Sequence, residues 1–320
     1  MALRSEFPTH KIWRDETPGR VRYVARSRYQ GLSPHTVITP NVAELRDALA
    51  PVRGMGAGAA VCSPAEPNIA RMYSYWLAGK DHYEADRAAA DMILQRFPEV
   101  AEAARANRAF LSRAVRYAAR HGIRQFLDLG SGLPASPNVH ETARAVNAGA
   151  RVVYVDRDPV VLAHARALLA VDDEVGVVAG DIGDPWFLAD PALTHVIDSH
   201  KPVGLLLTSV LHFLPVAEAD AAVATLRDWM PEGSYLVISA GTSTGTDPEL
   251  IRCLQEAYGD TPVTARTAAE IEAWFAGLSL VRPGLVDVWA WRPDILGRRV
   301  FPRARILAGV GHKPKPQWTA

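Results

Sequence analysis

The sequence predicts an α/β fold: a doubly wound, mostly parallel, Rossmann-like sheet of seven strands with an antiparallel hairpin at its C-terminal end, preceded by a helical lid and a small N-terminal appendage. Three observations predict it. From residue 123 onward, short apolar runs alternate with amphipathic helical runs, as successive βα units require. The first of those runs, QFLDL, passes directly into a glycine turn, Gly130-Ser131-Gly132. Ahead of it, residues 68–122 show only helical periodicity.

Each element follows in order. Residues 1–53 form the appendage, with strand candidates at Arg20 to Ala25 and His35 to Thr39 and a helix from Val42 to Leu49 capped by Asn41. Residues 54–67, with GMGAGAA and SPAEP, read as a flexible linker. The lid spans 68–122: NIARMYSYWLAG, then ADRAAADMILQRF stopped by Pro98, then a long amphipathic run from Glu99 to Arg120 closed by Gly122. The core spans 123–297. Its strands are QFLDL, RVVYV, VGVVA, PVGLLLTSV and SYLVIS, separated by helices from Val139, Pro159 and Val216. Asn138 with Glu141 and Thr267 with Glu270 predict capping boxes, and Asp158-Pro159 predicts an N-cap followed by an N1 proline. LSLVRPGLVDVWAW carries a Pro-Gly turn between extended runs and reads as the hairpin; residues 298–320 are left as a tail.

Composition narrows the function classes. Lys+Arg and Asp+Glu number 35 each, so no net field draws the chain to nucleic acid or to an anionic membrane. The apolar stretch near Val203 to Val216 is too short to span a bilayer, and the N-terminus has no apolar signal region, so a cytoplasmic protein is expected. Cys62 and Cys253 stand far apart without a CxxC or a Cys/His cluster, which suggests neither a disulfide nor a zinc site, and no metal is expected.

The chemistry concentrates where strands end. Gly130 and Gly132 let backbone N–H groups approach a ligand, and the spacing to Ala135 also satisfies a relaxed dinucleotide fingerprint. Asp156 ends the second strand, where a carboxylate accepts from both hydroxyls of a ribose; its plainer reading is a turn or cap. Asp181 ends the third, placed to accept from an adenine amino group while Ile182 offers its backbone, or to make a turn as Asp184 does.

The order of an acidic residue before GSG, then Asp156, then Gly180-Asp181 resembles the class I S-adenosylmethionine-dependent methyltransferases. NIARMYSYWLAGKDHYEADRAAA, ARANRAFLSRAVRYAARHGIRQFLDLGSGLP, NVHETARAV, ARVVYVDRDPVVLAHARALL, PVGLLLTSVLHFLP and GSYLVIS narrow this. They resemble an S-adenosyl methyltransferase family long catalogued as a domain of unknown function and abundant in actinobacteria, over about two thirds of the chain. The resemblance implies S-adenosylmethionine as cofactor, with Gly130 and Gly132 toward its methionine part, Asp156 at the ribose and Asp181 at the adenine; Asp128, Arg157, Ile182, Asn107 and Lys80 join them as expected cofactor-binding residues. Pro134 departs from the family's usual third glycine.

Four more residues enter as candidates. Asn107 shares a helical face with Val100, Ala104, Phe110 and Leu111, so its amide points coreward, toward either a structural partner or the cofactor. His212, beyond the fourth strand, is a general base or a packing histidine. Tyr73 and Lys80, on the aromatic helix and in the Gly79-Lys80-Asp81 turn, are candidates for the lid and the acceptor pocket, against the plainer reading of core and surface. Arg20, Arg22, Arg26 and Arg28, with Lys11 and Arg14, read as a solvated face or as phosphate contacts.

The expected activity is methyl transfer to a small-molecule acceptor without a metal. LTSVLHFLP lacks the Asn/Asp-Pro-Pro-aromatic motif of nucleic-acid amino methyltransferases. A catalytically silent cofactor-binding protein with a partner-binding N-terminal segment and an NAD-dependent oxidoreductase are the alternatives, and a homodimer is among the assemblies considered.

Overall fold

The computed structural model describes residues 10–17, 20–27, 36–49, 64–294 and 303–314. Three N-terminal strands, β1 (His10–Thr17), β2 (Arg20–Ser27) and β3 (Thr36–Thr39), form an antiparallel sheet in the order β1-β2-β3. Helix α1 (Val42–Leu49) packs on β3 and β2, and the Asn41 side chain accepts from the Glu44 N–H at 2.9 Å, the expected cap. Strand β1 was not foreseen: HKIWRDET has too many charges to show an apolar alternation. Of the expected basic face, Lys11 and Arg14 are exposed; the side chains of Arg20 and Arg26, and all of Arg28, lie outside the described residues. So do Cys62 and most of the linker.

Ahead of the main sheet lie three helices, α2 (Ile69–Trp76), α3 (Glu84–Arg96) and α4 (Glu99–Arg120). Strands β4 (Gln125–Leu129), β5 (Arg151–Asp156), β6 (Val175–Ala179), β7 (Gly204–Thr208) and β8 (Tyr235–Gly241) run parallel. Between them lie α5 (Val139–Arg144), α6 (Pro159–Leu168), a 3₁₀ turn (Pro185–Ala189), α7 (Pro191–Val196) and α8 (Val216–Trp229). Both predicted capping boxes form, and Asp158 caps α6 by accepting from the Val160 N–H at 2.7 Å. Alternation sorts the sheet's two faces: Phe126, Tyr154 and Val237 pack with Phe110 of α4, while Leu127, Val153 and Ile238 pack with Val223 and Leu226 of α8.

Beyond β8 come α9 (Pro248–Tyr258), α10 (Ala268–Ala273) and the strands β9 (Ser279–Leu280), β10 (Val286–Asp287) and β11 (Ile306–His312). The sheet order is β10-β11-β8-β7-β4-β5-β6, with β9 also paired to β11. The antiparallel end is therefore built differently from the expected hairpin. Ser279–Leu280 and Val286–Asp287 do not pair with each other; both lie antiparallel to β11, which comes from the segment taken as a tail. From Leu280 opposite Gly311 to Val286 opposite Ala308, six steps along this edge face three along β11, so the Pro283-Gly284 turn loops three residues out of one broken edge strand. Among the described residues no helix is long and apolar enough to cross a membrane.

Candidate active site

The strand order turns back beside β4: β5 and β6 lie to one side of it, β7 and β8 to the other. In such sheets ligands bind at the carboxyl ends of the strands near this point. A cavity of about 350 Å³ opens there, walled by the turns after β4, β5, β6 and β7 and roofed by α2 and α4.

The glycine turn is shaped from below by β5. Gly130 and Ser131 both donate to the Val155 carbonyl, at 2.8 and 3.2 Å, and Gly132 donates to Oδ2 of Asp156 at 2.9 Å. The other Asp156 oxygen accepts from the Asp158 N–H at 2.9 Å. Burial raises the Asp156 carboxyl above its usual range, against the backbone N–H groups that favour its charge. Both carboxylate oxygens thus have backbone partners and keep acceptor capacity toward the cavity that Asp156 lines. Asp181 lines the same cavity and also makes a turn: Oδ1 accepts from Gly183 N–H at 2.9 Å and Oδ2 from Arg157 at 3.1 Å. Ile182 is buried beneath Gly130, and Arg157 borders the cavity half-exposed.

Asn107 faces inward as its helical phase requires. Its Oδ1 accepts from Ser239 Oγ at 2.6 Å and its Nδ2 donates to the Tyr73 hydroxyl at 2.9 Å, which in turn donates to the Ala104 carbonyl at 3.1 Å. The chain joins β8, α4 and α2, and both Asn107 and Tyr73 line the cavity. It commits the Tyr73 proton to a backbone carbonyl, and burial pushes that phenol above its usual value, so Tyr73 is not set up as a base.

His212 sits in a 3₁₀ turn (Leu211–Phe213) on the β7 side of the cavity. Its Nδ1 accepts from the Gly241 N–H at 3.3 Å, which places the ring proton on Nε2. Burial lowers its pKa to about 4. His212 is therefore a neutral imidazole that offers a donor, and not a base waiting for a proton.

Two expected site residues lie apart from the cavity wall. Lys80 is exposed, and its neighbour Asp81 approaches His164 of α6 at 3.9 Å, because the turn after α2 folds outward over α6. Asp128, on β4, is buried under α4 beside Arg108, and burial pushes its carboxyl up to about 7 despite the guanidinium. Conversely, Arg108, Ser131, Ser209, Trp76 and Tyr258 line the cavity without having been singled out. Ser209 adopts φ +54°, a left-handed conformation no sequence pattern announces for serine. Arg108 shows one sequence signal, its position next to Asn107; it donates to the Ala135 and Pro137 carbonyls and so pins the loop that holds Pro134. That loop delays α5 until Val139, so Ala135 does not begin the helix as a dinucleotide fingerprint would have it.

The family model described as S-adenosyl methyltransferase matches residues 59–314. The chain belongs to the S-adenosyl methyltransferase family. Two crystal structures resemble it over most of its length. One is described as a "putative methyltransferase" from Thermobifida fusca YX, with 42% identity over 78% of this chain and 96% of that one and a TM-score of 0.75. The other is a DUF574 family protein from Streptomyces avermitilis MA-4680, with 39% identity over 78% and 98% and a TM-score of 0.73. No curated protein matches.

The cofactor of this family is S-adenosylmethionine, and the residues present fit it. Six buried side-chain nitrogen or oxygen atoms lack a hydrogen-bond partner among the described residues, and four of them, on Trp76, Arg108, Ser131 and Ser209, belong to residues lining this cavity. Orphaned polar atoms are costly unless a ligand completes them. Among the described residues no group of three or more His, Cys, Asp and Glu side chains is arranged to hold a metal ion.

Proposed function

We propose that this chain transfers the methyl group of S-adenosylmethionine to a small-molecule acceptor seated in the same cavity, without a metal. The observation that carries this is the cavity's continuity: it runs from the glycine turn and Asp156 past Ser209 and His212 to Leu250, Leu254 and Tyr258 of α9. A cofactor at one end and an acceptor at the other then share one continuous space. S-adenosylmethionine supplies a methyl carbon already activated by positive sulfur. The protein's part is to align the partners and keep water out.

On this reading Asp156 accepts from the two ribose hydroxyls, Asp181 and the Ile182 backbone meet the adenine, and Arg157 flanks both. Gly130, Gly132 and Arg108 surround the methionine end, with Asp128 beneath Arg108. Residues 68–122 act as the lid through α2 and α4, with Tyr73 and Asn107 in its inner wall and Lys80 outside it. Residues 123–297 with β11 form the cofactor-binding core, and residues 1–53 remain a separate appendage. His212 orients the acceptor as a donor. Calorimetric titration tests the reading: S-adenosylhomocysteine should bind and NADH should not, and the reverse result would sink it. Release of S-adenosylhomocysteine from S-adenosylmethionine, on adding small-molecule fractions of a cell extract, should then separate an enzyme from a silent binder.

A further inference from the structure

Resting on the methyl-transfer reading above, we propose that the acceptor is an apolar aromatic compound carrying an acidic hydroxyl, held as its oxyanion by His212 Nε2–H and the Tyr258 hydroxyl and methylated on that oxygen. The acceptor end of the cavity is apolar, walled by Leu250, Ile251, Leu254, Phe213 and Val263. Aromatic rings form part of that wall: Phe213 lies 4.2 Å from the His212 ring at a tilt and meets Tyr258 edge-on at 5.5 Å.

Beside the Thr246 and Thr261 hydroxyls, the polar side chains at this end are donors. His212 keeps its proton on Nε2 because Nδ1 is taken by Gly241 N–H, and no described residue is hydrogen-bonded to Nε2. Burial next to the Tyr73 phenol raises the Tyr258 hydroxyl above its usual value, so it too stays protonated, and no described residue is hydrogen-bonded to it. The Tyr73 proton is committed to Ala104. Arg305 is paired with Asp287 through two contacts of 3.0 Å and with the Thr244 carbonyl. The carboxylates that line the cavity, Asp156, Asp158 and Asp181, all belong to the cofactor end.

An alcohol or an ammonium group would find no base here to take its proton, and an ammonium no anion to hold it. A hydroxyl acidic enough to ionise in water needs neither, and its oxyanion matches the two donors that His212 and Tyr258 bring to this end of the cavity. The step then balances without a proton transfer. The oxygen lone pair forms the O–CH₃ bond, the CH₃–S bond breaks with its electron pair on sulfur, and one negative and one positive charge vanish together. Loss of charge in an apolar enclosure favours the forward direction.

Binding of 4-nitrophenol, followed by its phenolate absorption in the presence of saturating S-adenosylhomocysteine, tests this without turnover. The bound phenol should titrate about one unit below the free one, and its anion should bind about tenfold tighter than 4-nitroaniline, which has no oxyanion to offer. Tyr258→Phe and His212→Phe should each remove most of that preference. His212→Gln, whose amide can accept from Gly241 and still donate, should retain it. Equal binding of the two probes, or an unshifted titration, overturns the proposal while S-adenosylhomocysteine still binds; failure of S-adenosylhomocysteine to bind overturns the methyl-transfer reading beneath it.

Discussion

Gly130 and Gly132 both adopt left-handed conformations, at φ +67° and +65°, yet their side-chain positions meet different surroundings. A Cβ on Gly130 would stand 2.4 Å from Val210 Cγ2 and 3.0 Å from Val210 Cβ, whereas one on Gly132 would meet nothing within 4 Å. Gly132→Ala should therefore cost only the left-handed conformation, about 1–2 kcal/mol, and Gly130→Ala more, because the β7 loop must also move. Urea unfolding of the two variants checks the order, and equal losses would show that Val210 yields without cost. Asp156→Ala removes the acceptor for Gly132 and Asp158 N–H together with the proposed ribose contacts. S-adenosylhomocysteine affinity should fall by about 1.5–3 kcal/mol in calorimetry; unchanged affinity would leave Asp156 as a turn residue only.

Helix α2 has eight residues, too few to persist alone, so its place over the cavity depends on its ends. At its start Asn68 accepts from the Arg71 N–H at 3.1 Å and donates to Asp158 across the cavity rim at 2.6 Å; at its end Arg105 of α4 donates to the Trp76 carbonyl at 3.0 Å. Beneath it the buried Arg71–Asp86 pair, 2.6 Å apart, ties α2 to the start of α3. Asn68→Ala should cost about 1 kcal/mol through the lost cap and speed amide exchange over 69–76 ahead of α3 and α4; uniform exchange across α2 to α4 would mean that other contacts hold α2 in place. The elements themselves were legible where the signal is local. Asn138, Thr267 and the Asp158-Pro159 pair announce helix starts within four residues, and the period of α4 placed Asn107 inward. Pairing was not legible, because it is decided at a distance: Val286 finds Ala308 and not the run before Pro283. The same holds in the site. His212 was visible as a histidine at the sheet edge, but its donor character depends on the Gly241 N–H, which arrives from the next strand.

At the scale of the molecule, two buried titrating groups give opposite pH dependences. His212 titrates at about 4 in the folded chain, below its ordinary value of 6.5, so the unfolded chain binds more protons between those limits and stability rises with pH there. Asp128 titrates at about 7, above its ordinary 3.8, so the folded chain binds more protons in that window. Its contribution is most favourable below the lower value and is lost as pH rises toward and through the upper one. The two slopes nearly cancel while both windows overlap, and native protein alone should show a shallow profile. Asp128→Asn separates them. The variant keeps the His212 slope and loses the other, so its stability relative to the native chain should improve by about 1 kcal/mol between about pH 6 and about pH 8. Urea unfolding of the ligand-free protein at both pH values measures this difference directly. A gap between variant and native chain that stays constant over that interval would show Asp128 to be ionised throughout, held by Arg108 at 3% exposure instead of being neutralised by burial.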